Sequence, residues 1–270
     1  MNESSNNFEL VLMNALKLPG IKVNRKEFLV RSFSKKVLEE ELMEIIKKGP
    51  LESNVEIKKI NKIAQNLIGT RTLTSSGMSF AAGLPGGPAM AATIPADTLQ
   101  FFGTILRLAQ ELGYLYGHDD FWDEDELNVE AINGDLVLYL GVMFGVGGSV
   151  AAIKVLSTKL SQEALKKIPQ KALTKTIYYP IIKNVLSKLG INVTKSTFAK
   201  GISKTIPVIG GVVSGGLTYA SMSKMGKKLQ LALADTIDLT DTDIEKSFDD
   251  LKKSYSEIIE AHYTEIGTNK

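Results

Sequence analysis

Apolar residues recur every three or four positions through much of the chain, which is the spacing of one face of an α-helix. This pattern predicts an amphipathic helix over 26–48, stopped by a Gly-Pro pair, and a second over about 55–68. A third helix is predicted over 95–116, because Pro95 suits a first turn and Asp97 places a carboxylate beside the first-turn amides. Few segments alternate with the period of a strand, so the fold class is predicted to be all-α.

Two glycine-rich apolar stretches lie in the second half of the chain. Residues 136–153 and 206–222 contain no charged side chain, and the first is just long enough to span a bilayer as a helix, at about 1.5 Å per residue. Small residues four apart let another helix approach closely, either in a soluble bundle or inside a membrane, and both settings stay open. The glycines predicted to pack helices together are Gly141, Gly145, Gly148, Gly211 and Gly215.

These elements predict one compact helical domain over 1–270, with the two glycine-rich helices at its centre and amphipathic helices at its ends. Residues 1–25 are interpreted as an N-terminal extension, and the acidic, turn-rich segment 118–135 as the connector between two halves. The last amphipathic helix is predicted over 240–262, with Thr240 as its N-cap and Asp243 completing a capping-box arrangement.

Charge is segregated along the chain. Residues 154–228 contain fourteen lysines, no arginine and one acidic residue, Glu163. A nucleic-acid surface is expected to combine lysine with arginine and exposed aromatic residues, so this composition does not favour nucleic acid. Lysines interleaved with apolar residues are typical of a surface that binds anionic lipid, although a solvated lysine-rich face has the same composition. The candidate docking residues are Lys166, Lys167, Lys171, Lys175 and Lys183.

The sequence contains no recognisable catalytic or metal-binding motif. Its two histidines, His118 and His262, are interpreted as surface residues, and the lack of cysteine excludes disulfides and thiolate metal sites. The acidic segment does not fit a calcium loop, because Phe121 stands where a ligand is required. The glycines after position 144 do not fit a dinucleotide fingerprint, because Val150 occupies its sixth position. We therefore expect no metal and no cofactor, and we favour a protein that is not an enzyme.

One group of polar residues keeps a ligand-binding or enzymatic alternative open. Asp97, Arg107 and Gln110 all lie on the helix predicted over 95–116, beside the Pro-Gly-Gly-Pro turn at 85–88. Along the helix axis Asp97 and Arg107 are separated by about 15 Å, which is too far for direct contact. The two residues lie on nearly the same face of the helix, so a structure in which both side chains converge on a deep pocket would favour this alternative, whereas Asp97 capping its helix would not.

Two segments share their pattern with a known family. They are LPGGPAMAATIPADTLQFFGTILRLAQELGYLYG at 84–117 and KGISKTIPVIGGVVSGGLTYASMSKMGKKL at 200–229. The matching features are Pro85 with Gly86, Ile94–Asp97, Arg107 with Gln110, Tyr116 with Gly117, Ile206–Gly210, and Gly226 with Lys227. In these features the chain resembles the EcsC family of bacterial proteins, over roughly residues 30–235. The activity of that family is unassigned, so the resemblance implies a bacterial helical protein and supplies no mechanism.

The leading hypothesis is a non-enzymatic protein that associates with an anionic membrane or with a membrane protein. The polar start of the chain, MNESSNN, lacks the features of a signal peptide, so we expect a cytoplasmic protein bound peripherally at the inner face of the cell membrane. The alternatives are the ligand-binding protein or small enzyme described above, and a toxin or defence protein that permeabilises membranes. The sequence does not indicate an oligomeric state.

Overall fold

The computed structural model describes residues 3–74, 96–122, 134–156, 179–192, 215–240, 242–251 and 253. Across these ranges all regular structure is helical, as the sequence predicts. The helices are α1 (Glu3–Leu16), α2 (Arg25–Phe33), α3 (Glu39–Lys48), α4 (Ile57–Thr74), α5 (Ala96–Leu115), α6 (Gly134–Phe144), α7 (Ser149–Leu156), α8 (Tyr179–Asn192), α9 (Gly215–Ala234) and α10 (242–251).

Helix α5 lies at the centre of the fold. Residues 99–116 are buried, apart from Gln100 and Arg107, which are partly exposed. Helices α1, α2, α4, α6 and α9 all contact α5. The sequence predicts nearly the same bounds for this helix but a single apolar face. The structure differs because neighbouring helices cover its other faces as well, as expected of a core helix.

Helix α1 belongs to the core that surrounds α5. Its residues Phe8, Leu12 and Leu16 are buried, and the helix contacts both α5 and α8. The rings of Phe8 and Phe102 meet edge to face, with their centroids 5.3 Å apart. The segment interpreted as an N-terminal extension therefore contains a helix of the core, because its apolar residues have helical spacing and find partners on α5.

The single helix predicted over 26–48 is two helices in the structure. Helix α2 ends at Phe33, and α3 begins at Glu39 after Leu38, which has extended backbone. The apolar stripe continues across the break because Phe33 and Ile45, on the two separate helices, are both buried in the same core. Periodicity alone therefore does not reveal the turn.

The apolar stretch 136–153 is likewise divided. Helix α6 ends at Phe144 and α7 begins at Ser149. Between them Gly145 and Gly148 have φ of +75° and +83°, a left-handed backbone that favours glycine. The structure thus divides the apolar stretch with a turn, and these two glycines shape that turn. None of the helices in the described ranges combines the length and apolar character needed to cross a membrane.

Gly141 lies where α6 meets α7 and α8. A Cβ atom at this position would overlap Ser149 Oγ and would lie 3.1 Å from Val185 Cγ1. Gly215 is the first residue of α9, and Gly211 lies outside the described residues. Among the predicted packing glycines, the described part of the chain thus places Gly141 in a tight contact between helices.

Helix α10 begins with the predicted capping box. The backbone N–H of Thr240 donates to Asp243 Oδ2 at 3.1 Å, and the N–H of Asp243 donates to Thr240 Oγ1 at 3.3 Å. Hydrogen bonds from Thr240 hold the pKa of the Asp243 carboxyl below its ordinary value. Ile244 and Leu251 of this helix are buried. The start predicted from the sequence is therefore confirmed.

We expect Gly141→Ala to lower the free energy of unfolding by about 1–3 kcal/mol, because the added methyl group overpacks the contact with Ser149. Urea denaturation followed by circular dichroism measures the change. Gly69→Ala is the matched control, since nothing lies within 4 Å of a Cβ atom there, and alanine in an open helical position stabilises by up to about 1 kcal/mol. Ser149→Ala should recover part of the loss; equal effects of the two glycine variants would contradict the tight contact.

Candidate functional site

Gln110 binds residues 17–24, the connector between α1 and α2, to the central helix α5. Its side chain is fully buried and donates to Ile21 O at 3.0 Å and to a carbonyl within α5. Its oxygen accepts from Val23 N at 3.0 Å and from Trp122 Nε1 at 2.9 Å. These four bonds fill the capacity of a side-chain amide. Gln110 is therefore satisfied by the protein itself.

Tyr114, one turn further along α5, holds the same connector and the turn after α5. Its hydroxyl lies 3.2 Å from Val23 O and 2.8 Å from Asp120 Oδ1. Burial raises the pKa of this phenol well above its ordinary value, and the hydrogen bond and charge of Asp120 raise it further. Tyr114 thus stays protonated and remains a donor at neutral pH.

His118 joins the end of α5 to the start of α6. Its ring stacks on Phe121, with centroids 3.9 Å apart, and its Nε2 lies 3.0 Å from Asp135 Oδ2. His118 is interpreted from the sequence as a surface residue, but in the structure only 16% of its side chain is exposed. His262 lies outside the described residues.

Glu111 is the centre of a cluster of arginines from three helices. Its carboxylate is fully buried. Arg71 of α4 forms a two-bond fork with it, through Nε at 2.6 Å from Oε2 and through Nη2 to Oε1. Arg107 Nε lies 3.2 Å and Arg31 Nη2 3.4 Å from Oε1. Arg107 also donates to Gly20 O in the connector. One carboxylate therefore ties together α2, α4 and α5.

The structure places Arg107 and Gln110 against the same segment but Asp97 far from both. Asp97 lies in the first turn of α5, about 15 Å along the axis from Arg107. Arg107 and Gln110 both bond to the connector between α1 and α2. Arg107 contacts Gly20 there and pairs with Glu111, whereas Gln110 bonds to Ile21 and Val23. The sequence analysis did not predict the Glu111 cluster. The sequence feature that indicates it is the pair of Arg107 and Glu111, which are four residues apart in an otherwise apolar helix.

A basic surface lies on α9, which we call the α9 face. Within 221–234, the residues with exposed side chains are Lys224, Lys227, Lys228 and Leu231. Their spacing of three and four places all of them on one side of the helix. Leu231 is 65% exposed, so the α9 face combines three cations with one uncovered apolar side chain.

The turn between α6 and α7 adjoins the α9 face. Lys228 Nζ lies 3.1 Å from where a Cβ atom of Gly145 would be. Val150, just after this turn, is 42% exposed. Lys154 of α7 pairs with Asp235 at 3.5 Å, immediately beyond the end of α9. The turn thus lies against Lys228, and an exposed apolar residue follows it on α7.

The predicted docking lysines are largely beyond what the structure describes. Lys183 lies on α8 and is exposed, as is Lys188 on the same helix. Lys166, Lys167, Lys171 and Lys175 fall outside the described residues. Across the described ranges, no group of three or more acidic or histidine side chains is placed to hold a metal ion.

In comparisons with known proteins, no family model, curated protein or solved structure matches the chain. The resemblance to the EcsC family therefore stays a prediction that rests on its motifs. Of these, Arg107 and Gln110 lie side by side on α5, and Gly226 lies on α9 in close contact with Ile68 and Leu108.

We expect Glu111→Gln to destabilise the fold by about 3–5 kcal/mol, because it leaves the partly buried charges of Arg71 and Arg107 without their counter-charge. The free energy of unfolding in urea measures the loss. Glu44→Gln is the control, since Glu44 forms an exposed pair with Lys48, and exposed pairs contribute little to stability. A Glu111→Gln variant as stable as this control would contradict the structural role of the cluster.

Tyr114 should make the fold sensitive to alkaline pH. The unfolded chain releases this phenolic proton near the ordinary pKa of 10.0, whereas the folded chain retains it because its pKa is raised. The unfolded state then binds fewer protons, so stability falls as pH rises above 10, by up to about 1.4 kcal/mol per pH unit. Tyr114→Phe should be less stable at neutral pH and should lose less stability above pH 10. A constant difference between the variant and the wild type from pH 7 upwards would contradict this.

Proposed function

We propose that the protein is a non-enzymatic helical protein that binds peripherally to membranes rich in anionic lipid. The proposal is supported first by the composition of residues 154–228, with fourteen lysines against one acidic residue. A segment with such a charge balance is attracted to the negative surface potential of an anionic bilayer.

The observation that most favours this function is the α9 face. Lys224, Lys227 and Lys228 are exposed on one side of a helix whose opposite side packs against α4, α5 and α6. Each lysine near an anionic surface contributes about 1 kcal/mol to binding. The rigid attachment of α9 to the core fixes the spacing of these three charges.

Exposed apolar residues supply the second component of interfacial binding. Leu231 extends the α9 face by one turn, and Val150 is exposed just after the turn between α6 and α7. Apolar side chains next to a row of lysines enter the boundary between headgroups and acyl chains, which adds to the electrostatic attraction. We therefore propose that the α9 face and this turn lie against the lipid surface together.

The alternatives have less support from the described residues. Gln110 spends all of its hydrogen-bonding capacity on the protein, and Arg107 is engaged by Glu111 and Gly20. A polar site that includes Gln110 would require breaking its four hydrogen bonds, and Asp97 lies about 15 Å along α5 from Arg107. Permeabilisation would use the same basic surface as docking, so a measurement must separate the two.

We expect the triple variant Lys224→Gln/Lys227→Gln/Lys228→Gln to bind anionic vesicles about a hundredfold more weakly than the wild type, because three contributions of about 1 kcal/mol are lost. Flotation with phosphatidylcholine vesicles, with and without phosphatidylglycerol, measures the partition coefficient. Wild-type binding should require phosphatidylglycerol and weaken as salt is added.

The matched control is Lys47→Gln/Lys58→Gln/Lys62→Gln, which removes the same charge from exposed positions of α3 and α4. It should bind nearly as well as the wild type. Equal loss in the two triple variants, or equal binding to neutral and anionic vesicles, would refute docking through the α9 face. Release of a trapped dye upon binding would instead support the permeabilising alternative.

A further inference from the structure

The cluster around Glu111 contains more positive charge than its carboxylate neutralises. Arg31, Arg71 and Arg107 all lie within 3.4 Å of Glu111 oxygens. Three guanidinium groups and one carboxylate leave a net charge of about +2, since arginine stays protonated in proteins.

The segments that build the cluster do not offset this charge. Residues 17–33 contain five basic residues and one acidic residue. Residues 57–74 contain four basic residues and no acidic residue, and residues 96–115 contain one basic residue and two acidic residues. Together they amount to ten basic residues against three acidic. One of the three acidic residues is Glu111 itself, and another, Glu27, lies exposed one turn before Arg31 on α2.

Arg31 is not needed to satisfy Glu111. Arg71 already contacts both carboxylate oxygens, and Arg107 adds a third bond. Arg31 makes the longest contact, at 3.4 Å, and its side chain is 60% exposed, whereas those of Arg71 and Arg107 are 17% exposed. Its guanidinium carbon lies 5.9 Å from the centre of the Phe28 ring, which helps to fix its position. Arg31 therefore sits at the solvent side of a cationic cluster.

Like charges held this close repel one another, and charges withdrawn from water require a counter-charge. Guanidinium groups match the oxygens of a phosphate through paired hydrogen bonds. A phosphate monoester has a charge of about −1.5 to −2 at neutral pH, which equals the surplus of the cluster.

We propose that Arg31, Arg71 and Arg107 form a binding site for a phosphate monoester group. Arg71 and Arg107, fixed by Glu111, provide the positive floor of the site, and Arg31 contacts the ligand from the solvent side. The site uses α2, α4 and α5 and none of the residues of the α9 face, so this inference does not depend on the proposed membrane docking.

The test titrates the full-length chain with inorganic phosphate and with glycerol 3-phosphate by calorimetry, at constant ionic strength in chloride. We expect saturable binding, and we expect Arg31→Gln to weaken it at least about tenfold, as loss of a charged hydrogen bond would. Lys26→Gln removes the same charge from an exposed position on α2 and should change affinity less than about twofold. Because Arg31 is exposed and dispensable to Glu111, the variant should fold, which circular dichroism verifies.

A lipid headgroup and a soluble phosphate compound share this chemistry, and vesicles distinguish them. If the phosphate belongs to a lipid, phosphatidic acid vesicles bind the chain in an Arg31-dependent manner, whereas phosphatidylglycerol vesicles do not sense Arg31→Gln. If it belongs to a soluble compound, glycerol 3-phosphate binds in an Arg31-dependent manner and vesicle binding is indifferent to Arg31. If Arg31→Gln weakens binding of none of these ligands, or if Arg31→Gln and Lys26→Gln weaken it equally, the site is overturned. Neither result bears on the α9 face, which contains neither residue.

Discussion

Helix α5 is buried from residue 99 to its end, apart from Gln100 and Arg107, and each buried polar group on it must therefore find a partner within the protein. A buried carboxylate or amide without partners costs several kcal/mol. Glu111 and Gln110 are adjacent, so they point to different neighbours. Glu111 gathers the arginines of α2, α4 and α5, while Gln110 fastens the connector between α1 and α2. The positions of the surrounding helices are set by these requirements as much as by apolar contact.

This arrangement separates the chemistry of the core from that of the surface. The charged groups near α5 surround the carboxylate of Glu111, and together they carry a net positive charge. The charges of α9 face outward, in a row, with an exposed leucine. The two proposals therefore concern different surfaces: a shallow basic face suited to a membrane, and a partly enclosed arginine cluster suited to one phosphate group.

Local features were readable from the sequence, and long-range ones were not. The limits of α5 and the capping box of Thr240 follow from proline, carboxylate and hydroxyl chemistry within a few residues. The breaks after Phe33 and Phe144 were missed for two different reasons. In the first, an apolar stripe continues across the turn. In the second, the spacing of four between Gly141 and Gly145 fits a helix contact, and only the observed φ angles of Gly145 and Gly148 reveal the left-handed turn.

The candidate sites show the same limit. Arg107 and Glu111 are four residues apart and visibly paired, but Arg71 and Arg31 lie 40 and 80 residues from Glu111 and reach it only through the packing of α4 and α2 on α5. Lysine enrichment in 154–228 was plain from composition. Which lysines face solvent together depends on how α9 packs, since Met222, Met225 and Leu229 are buried.

A double-mutant cycle between Arg71 and Glu111 tests most directly the claim that their contact organises the fold. Arg71→Gln, Glu111→Gln and the double variant are compared by their free energies of unfolding. We expect a coupling free energy of about 1–3 kcal/mol, because Glu111→Gln removes the counter-charge of Arg71, and Arg71→Gln leaves Glu111 with the single contacts of Arg107 and Arg31 in place of the two-bond fork. Effects that add to within about 0.5 kcal/mol would show that the two residues act independently and that their contact does not organise the fold.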